Sequence, residues 1–304
     1  MYCPYDILLD PNELGLSSSL VDVNGRKWHV VQSMRKRSDC AVVFLHGVGM
    51  DWSAWTPLVQ AARAEGVDTS AWVLLDLPGF GRSDDLPLGA TMDDAAELVE
   101  AYLSTMGARS VQLVGHSMGG FLALHLLARH RLEYERSVIF SGAYSGIVDA
   151  VNHPLSTVLK RPSTAATYAG LRAVRLLGGS AGAFLAGASR LGLLPIALRS
   201  TVAHPRRLRP SVYRAIAKGF RATAFARAEA TGVGYSVRES WSQIDVGIEQ
   251  VYGQSDVLVT EGDAALLAQC VQGGSVTHRL REAGHFAPIE QPHQCLDLLV
   301  SAHP

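Results

Sequence analysis

The chain has 304 residues, of which 48% are hydrophobic, and its formal net charge is −1. This length suits one large domain or two medium ones, and the hydrophobic fraction supports a substantial core, which excludes a disordered chain. The balanced charge gives no overall case for nucleic-acid binding. No stretch reaches about 18 uninterrupted apolar residues, so we expect neither a membrane span nor stable membrane insertion.

The N-terminal stretch, MYCPYDILLDPNEL, lacks the basic start and apolar core of a secretory signal. The cysteines lie far apart, with no C-x-x-C pair of the kind that binds zinc or forms a redox dithiol. They are Cys3, Cys40, Cys270 and Cys295. Free thiols in a reducing compartment are the simplest interpretation, so we expect a cytoplasmic protein.

A hairpin comes first in the chain, because two strand-like runs in SLVDVNGRKWHVVQS flank Asn24 and Gly25, a dipeptide favoured in tight turns. The pattern then changes to strand followed by helix. The apolar runs CAVVFLH and WVLLD are typical of strands buried on both faces, and a helix that ends at Gly66 is predicted between them. A second helix is predicted from about Met92 to Met106, before the strand VQLVG.

The same alternation continues with VQLVG and its helix, RSVIFS, GIEQVYG and SVTHRLRE. Strands that alternate with helices in this way predict a mostly parallel sheet with helices on both faces.

The alternation stops between RSVIFS and GIEQVYG for roughly a hundred residues, which is too long for an unstructured loop in a compact domain. The segment reads as several helices, with breaks at Gly178 and Gly179, Pro195, Pro205 and Pro210. Between Ala143 and Trp241, 14 Lys and Arg stand against 3 Asp and Glu. We therefore predict a basic helical cap, with the following division: 1–144 core, first part; 145–241 inserted cap; 242–304 core, second part.

One serine lies at a junction between a predicted strand and a predicted helix, in VQLVGHSMGGFLALHLLARH. In a G-x-S-x-G turn, the missing side chains of Gly115 and Gly119 let the chain reverse sharply and expose the hydroxyl of Ser117. The N-terminus of the following helix also aims unpaired N–H groups at that spot, which suits a developing oxyanion. Ser117 is thus a candidate nucleophile; as a structural residue it would be a helix N-cap.

A serine nucleophile needs a histidine base and a group that orients the base. His285, in EAGHFAPIEQP, follows the last predicted strand, at the same sheet edge as Ser117. Asp256 follows the seventh strand, whereas Asp245 and Glu249 precede or enter it and point to the opposite edge. The sixth strand ends in FSGAYSG, which has no carboxylate. Asp256 is therefore the candidate acid, with an Asx turn as its structural alternative.

These residues resemble the α/β-hydrolase family, in the chain order nucleophile, acid, histidine. FLHGVGMDWSAW is similar to the family's His-Gly oxyanion loop, DLPGFGRSD to its loop after the fourth strand, and GHSMGG to its elbow. The resemblance covers roughly two-thirds of the chain, from about Asp39 to Gly142 and from about Gly247 to the end. It implies an eight-stranded, mostly parallel sheet with an inserted helical cap, and an oxyanion hole formed by the backbone N–H groups of Val48 and Met118.

The resemblance implies a serine esterase or thioesterase that cleaves a carboxylic ester, lactone or thioester of a small-molecule acyl substrate. Ser117 would form the acyl-enzyme, His285 would act as base and then acid, and Asp256 would orient it, without a metal or organic cofactor. A C–C bond hydrolase or lyase, a cofactor-free haloperoxidase and a ligand-binding receptor share this triad and stay open. Dehalogenases and epoxide hydrolases attack with a carboxylate, so Ser117 disfavours them.

Four further patterns add to the prediction. HGVGMDW contains G-x-G after a strand, but Trp52 stands where a dinucleotide-binding loop needs its third glycine. His46 and His116 are predicted to be structural. The arginines of the cap are either solvated or meet an acidic carrier protein, an anionic group or an anionic membrane surface. Leu176 to Leu198 are expected to form an apolar wall over the site.

Overall fold

Residues 1–33, 39–142 and 145–302 are described by the computed structural model. In that part of the chain, eight strands form a single sheet in the order β1-β2-β4-β3-β5-β6-β7-β8. The strands are β1 (Leu16–Val23), β2 (Arg26–Ser33), β3 (Cys40–Leu45), β4 (Trp72–Leu75), β5 (Ser110–His116), β6 (Ser137–Phe140), β7 (Ile248–Gly253) and β8 (Ser275–Leu280). β3 to β8 pair in parallel, and β1 and β2 pair antiparallel at one edge, so the predicted mostly parallel sheet is confirmed.

The predicted hairpin joins β1 to β2. Both turn residues have a positive φ, 52° at Asn24 and 76° at Gly25, as a type I′ turn requires. Val23 pairs with Arg26 directly across the turn, so two residues connect the strands. The Asn-Gly dipeptide thus fixes the register of the edge hairpin.

Helices cover both faces of the sheet because the central strands are apolar on both faces. Val42 and Phe44 pack with the hydrophobic cluster that contains Leu58, whereas Val43 packs on the other face with the cluster that contains Leu122. The helices of the core are α1 (Thr56–Ala64), α2 (Met92–Thr105), α3 (Met118–Arg129), α12 (Glu261–Cys270), α13 (Ala287–Glu290) and α14 (Pro292–Ala302).

Eight further α-helices lie between β6 and β7, in the described residues from Ser145 onward. They are α4 (Ser145–Asn152), α5 (Pro154–Lys160), α6 (Pro162–Arg175), α7 (Ala181–Arg190), α8 (Leu194–Ala197), α9 (Pro210–Gly219), α10 (Ala222–Thr231) and α11 (Val237–Trp241). Pro195 and Pro210 lie in the first turns of α8 and α9, where a missing N–H costs nothing. The predicted boundary between 144 and 145 falls beside Ala143 and Tyr144, which lie outside the described residues, as do the last two residues of the third predicted part.

Ion pairs join these cap helices to the rest of the chain. Three arginine pairs do so: Arg161 with Asp263, Arg209 with Asp6 and Arg227 with Asp85. Asp263 is fully buried, so the Arg161 contact neutralises a carboxylate that would otherwise be costly. Part of the positive charge of the cap therefore complements the negative charge of the core, and the interpretation that its arginines are simply solvated is wrong for these three.

Candidate active site

The turn between β5 and α3 presents Ser117. Its backbone has φ 53° and ψ −124°, a strained conformation for a residue with a side chain. The neighbouring glycines are required by close packing: a Cβ on Gly115 would lie 2.5 Å from the Cα of Gly120, and one on Gly119 would overlap the Leu45 carbonyl. The G-x-S-x-G spacing thus holds the serine at the N-terminus of α3, where the helix dipole is positive.

Ser117, His285 and Asp256 form a continuous hydrogen-bonded chain, called here the elbow chain. His285 Nε2 lies 2.9 Å from Ser117 Oγ, and His285 Nδ1 lies 2.9 Å from Asp256 Oδ2. All three residues are buried. They follow β5, β8 and β7, so the structure brings together the three side chains that the sequence predicts to meet at one sheet edge.

The environment of Asp256 keeps its carboxylate ionised. Its Oδ1 accepts hydrogen bonds from the backbone N–H groups of Leu258 (2.8 Å) and Val259 (3.2 Å). Burial alone would raise the pKa of Asp256, but the charge and hydrogen bond of His285 and the backbone donors outweigh it, and the net pKa is lowered. An ionised Asp256 accepts the Nδ1 proton of His285, which leaves Nε2 free to accept the serine proton.

The rival carboxylates lie elsewhere. Glu249 pairs with Arg136 and with His278, and Asp245 lies 3.4 Å from His130. Neither of these acids contacts the elbow chain, in agreement with their predicted position at the opposite strand ends.

The Gly47–Val48 segment lies against the serine. A Cβ on Gly47 would lie 2.9 Å from His116 Nδ1 and 3.0 Å from Ser117 Cβ, so only glycine permits this approach. Val48 and Met118 both line the cavity beside Ser117. The two predicted oxyanion donors therefore belong to segments that lie next to Ser117.

His46 and His116 support the loops of the site. His46 accepts from Leu77 N (2.9 Å) and lies 2.8 Å from Gly47 O, so its ring fixes the start of the glycine loop. His116 Nε2 lies 2.7 Å from the carbonyl oxygen of His285. Burial, with the nearby charge of His285, lowers the pKa of His116 to about 3. Both rings are neutral at physiological pH, as their predicted structural role requires.

Sequence reasoning missed Glu290, which organises the loop that carries His285. Its carboxylate accepts from Gly284 N at 3.0 Å and from Phe286 N at 3.1 Å, the two residues that flank His285. Glu290 is fully buried, and burial raises its pKa despite these donors. The available signal was a carboxylate five residues after the histidine in HFAPIE, at the end of a helix short enough to fold back on the loop.

The same carboxylate reaches the cap and the N-terminal segment. Oε2 of Glu290 accepts from Ala203 N at 2.8 Å and from Tyr2 Oη at 2.9 Å. The backbone N–H of His285 also donates to the Thr201 carbonyl, at 2.6 Å. The histidine loop, the cap and the N-terminal segment thus meet at one buried charge.

A cavity of about 710 Å³ opens above Ser117 between core and cap. A second, smaller lobe of about 90 Å³ shares Ser117 and His285 with it. The lining is mainly apolar and includes Val48, Leu171, Leu185, Leu194, Leu198 and Phe220. The shape therefore offers two apolar spaces that both border Ser117.

The expected apolar wall from Leu176 to Leu198 is only partly correct. Leu185, Leu194 and Leu198 line the cavity, but Leu176 is 79% exposed and Leu191 76% exposed. These two leucines lie near helix ends, at turns on the outer side of the cap. The wall is therefore formed by one face of the segment and not by its full length.

Among residues 1–33, 39–142 and 145–302, no three His, Cys, Asp or Glu side chains are arranged to hold a metal ion. None of the helices in these ranges combines the length and apolar character needed to cross a membrane.

The fold and this site define an α/β hydrolase. A family model described as the alpha/beta hydrolase family matches residues 42–298, and the chain belongs to that family. A 2-hydroxy-6-oxononadienedioate/2-hydroxy-6-oxononatrienedioate hydrolase of Paraburkholderia phymatum is 30% identical over 106 residues, 34% of this chain and 37% of that protein. The chain spans about a fifth to two-fifths of the length of the first curated relatives that it matches.

Solved structures match over nearly the whole chain. The structure of Cfl2 from Burkholderia cenocepacia superposes with a TM-score of 0.74 at 20% identity, over 98% of this chain and 99% of that one. The carboxylesterase CesB from Bacillus subtilis gives a TM-score of 0.70 at 17% identity, over 96% and 94%. At these identities the likeness shows the fold alone.

Proposed function

We propose that this α/β hydrolase is a serine esterase or thioesterase that cleaves a carboxylic ester, lactone or thioester through an acyl-enzyme on Ser117. The observation that carries the proposal is the elbow chain, with 2.9 Å from Ser117 Oγ to His285 Nε2 and 2.9 Å from His285 Nδ1 to Asp256 Oδ2. Both distances lie within the range that proton transfer from a serine to an imidazole requires.

In the first half-reaction, His285 takes the hydroxyl proton of Ser117 as its oxygen attacks the acyl carbon. His285 then gives that proton to the leaving group, and water releases the acyl group by the same steps in reverse order. Asp256 holds the imidazole in the required tautomer and stabilises its cation. The backbone N–H groups of Val48 and Met118 stabilise the oxyanion, a contribution of about 2.7 to 4 kcal/mol per donor in other hydrolases.

The two lobes of the cavity support a substrate with apolar groups on both sides of the scissile bond. The acyl group would occupy one lobe and the leaving group the other, with the cap, residues 145–241, selecting both. The two core parts, 1–144 and 242–304, would supply the catalytic groups. Cysteines that lie far apart in the sequence, without a C-x-x-C pair, support a reducing, cytoplasmic location.

The proposal is tested with p-nitrophenyl esters and acyl thioesters from acetyl to dodecanoyl, with intact-mass detection of the acyl adduct. The wild type should turn over the preferred chain length and should be labelled by a fluorophosphonate probe. Ser117→Ala should lose both activities while its circular dichroism and unfolding midpoint stay unchanged. Turnover retained in Ser117→Ala would refute the nucleophile assignment.

A C–C bond hydrolase is the second candidate, favoured by the similarity to the Paraburkholderia phymatum hydrolase. A 2-hydroxy-6-oxodienoate assayed in parallel separates the two activities, because a C–C hydrolase would convert it and leave the simple esters intact. Tight binding of either substrate class without turnover would instead indicate a receptor. A cofactor-free haloperoxidase would halogenate an acceptor when supplied with a carboxylic acid, hydrogen peroxide and a halide.

An acidic carrier protein or another anionic group is the proposed partner of the basic cap. Arg209 already contacts Asp6, and the Arg207 guanidinium lies over the Tyr2 ring, so Arg206 is the most available cation of this cluster. If charge steers the substrate, kcat/KM for a carrier-bound thioester should fall with ionic strength in the wild type and lose that dependence in Arg206→Gln/Arg207→Gln. An identical salt profile in both proteins would contradict steering.

A further inference from the structure

A second cavity, of about 190 Å³, lies between the core and the cap, and is called here the seam cavity. Its lining residues include Ser18, His29 and Arg82 from the core and Lys218 and Arg221 from the cap. None of its lining residues also lines the active-site cavity. It is therefore a separate space that two parts of the molecule close together.

The inner wall of the seam cavity contains another hydrogen-bonded chain of Ser, His and Asp. His29 Nε2 lies 3.0 Å from Ser18 Oγ, and His29 Nδ1 lies 2.6 Å from Asp76 Oδ2. His29 and Asp76 are buried, while Ser18 is exposed at the cavity. These three residues are called the seam chain; its outer end presents the Ser18 side chain to the cavity.

Three cations converge on the same space. Among the described residues, Arg82, Lys218 and Arg221 have no carboxylate within 4.0 Å. Arg221 is held in place because its guanidinium donates to the carbonyl oxygens of Gly79 and Gly81. Cap and core thus both contribute cations to the cavity, and none of these three cations forms an ion pair with a described carboxylate.

The carboxylates in the wall offset only part of this charge. Asp76 uses Oδ1 to accept from Trp52 N at 2.8 Å, and Oδ2 to accept from Arg82 N at 2.9 Å and to contact His29. Asp51 Oδ1 accepts from Ser53 N at 2.9 Å as the cap of a short helix. Three cations against two carboxylates leave the lining with a net positive charge.

We propose that the seam cavity binds a small oxyanion of the phosphate class, either free phosphate or the phosphate group of a small monoester. Its volume is below the roughly 300 to 1,000 Å³ of pockets for drug-sized ligands, so a single compact group fits best. Lys218 and Arg221 hold the anion from the cap, and Arg82 holds it from the core. Charge-assisted hydrogen bonds of this kind are the strong ones, and the bound anion bridges cap and core.

Titration calorimetry with inorganic phosphate, at constant ionic strength, tests the proposal. The wild type should bind saturably with one site, and Lys218→Gln and Arg82→Gln should each raise Kd by about tenfold or more. Arg214→Gln is the matched control, since Arg214 lies one turn before Lys218 on α9 but does not line the cavity; it should change Kd by less than about twofold.

Phosphate should also raise the Tm of the wild type and of Arg214→Gln, but not that of Lys218→Gln. Phenyl phosphate distinguishes the two sources of the anion. Tighter binding of this monoester than of inorganic phosphate identifies an organic phosphate, whereas equal binding of the two identifies free phosphate. Absence of saturable heat at phosphate concentrations up to tens of millimolar would overturn the proposal. Equal weakening by all three variants would overturn it too, because that result indicates diffuse attraction to the cap. The readout does not use ester turnover, so it stands or fails separately from the proposed esterase activity.

Discussion

The elbow chain and the seam chain contain the same three residue types in the same hydrogen-bonded order, yet they lie in different structural settings. Their serine-to-histidine distances are almost equal, 2.9 Å and 3.0 Å. The difference lies in the backbone. Ser117 has φ 53° at the N-terminus of α3, whereas Ser18 lies within edge strand β1, paired with Val31.

The setting of each serine decides what its hydroxyl can do. Ser117 lies at the N-terminus of α3, whose first N–H groups have no helical partner, and faces a substrate-sized apolar cavity, as an acyl transfer requires. Ser18 faces a small cavity rimmed by cations, which suits a bound anion. A Ser, His and Asp chain is therefore expected to contain a nucleophile only where the turn and the oxyanion donors accompany it.

The aspartates give the largest expected contrast. Asp256→Asn should reduce kcat about 10⁴-fold, because the amide favours the wrong imidazole tautomer, with little change in unfolding midpoint. Asp76→Ala should instead lower the free energy of unfolding by about 3 to 5 kcal/mol, since it removes a buried charge that holds His29, Trp52 N and Arg82 N. Ester kinetics and urea unfolding measure the two effects. A stability loss in Asp256→Asn as large as that in Asp76→Ala would erase the contrast.

The acid stability of the protein should be controlled from the elbow side. The pKa of His116 is lowered from 6.5 to about 3 in the folded state, so the unfolded state binds its proton first as pH falls. Stability from this residue is present above about pH 6.5 and is lost progressively towards pH 3, an effect of about 4 to 5 kcal/mol.

Urea unfolding at several pH values between 3 and 7 measures how the free energy of unfolding falls with pH. His116→Gln should reduce this pH dependence. The control is His153→Gln, at an exposed histidine, which should leave the pH dependence unchanged. An unchanged slope in His116→Gln would mean that other buried groups cause the acid sensitivity.

Glu290 should affect kcat more than KM. Glu290→Gln keeps the shape of the side chain but replaces one acceptor oxygen with an NH₂ donor. This donor would face the backbone N–H of Gly284 or Phe286, which would lose its hydrogen-bond acceptor. A displacement of His285 by about 1 Å can cost roughly 10²-fold in rate. Tyr2→Phe removes one hydrogen bond from the same carboxylate and should cost about 0.5 to 1.5 kcal/mol of stability with kcat nearly unchanged. Equal losses of kcat in both variants would contradict a specific positioning role.

The sequence predicted the elements of the elbow chain because their signals are local. Each of Ser117, Asp256 and His285 follows an apolar run that ends at one sheet edge, and parallel strands bring such ends together. Glu290 had only a weak local signal, since Ala203 and Tyr2 contact it from distant parts of the chain.

The seam chain was likewise outside the reach of sequence patterns. Ser18 and His29 meet across a hairpin whose register was predictable, but Asp76 joins them only when β4 pairs with β2. Charge composition marked the cap as a separate basic unit, while its ion pairs, such as Arg161 with Asp263 at 102 positions apart, depend on tertiary structure. Local periodicity therefore predicted the strand ends, and long-range packing decided which polar side chains meet there.

Ser18→Ala should have the smallest effect of the series. The serine is exposed on an edge strand, so the loss of one hydrogen bond to His29 should lower the free energy of unfolding by about 0.5 to 1.5 kcal/mol. Ester turnover should stay within about twofold of the wild type, and a fluorophosphonate probe should label Ser18→Ala as fully as the wild type. Residual probe labelling of Ser117→Ala that disappears in Ser117→Ala/Ser18→Ala would show that Ser18 is also nucleophilic, because only the seam chain could then activate it.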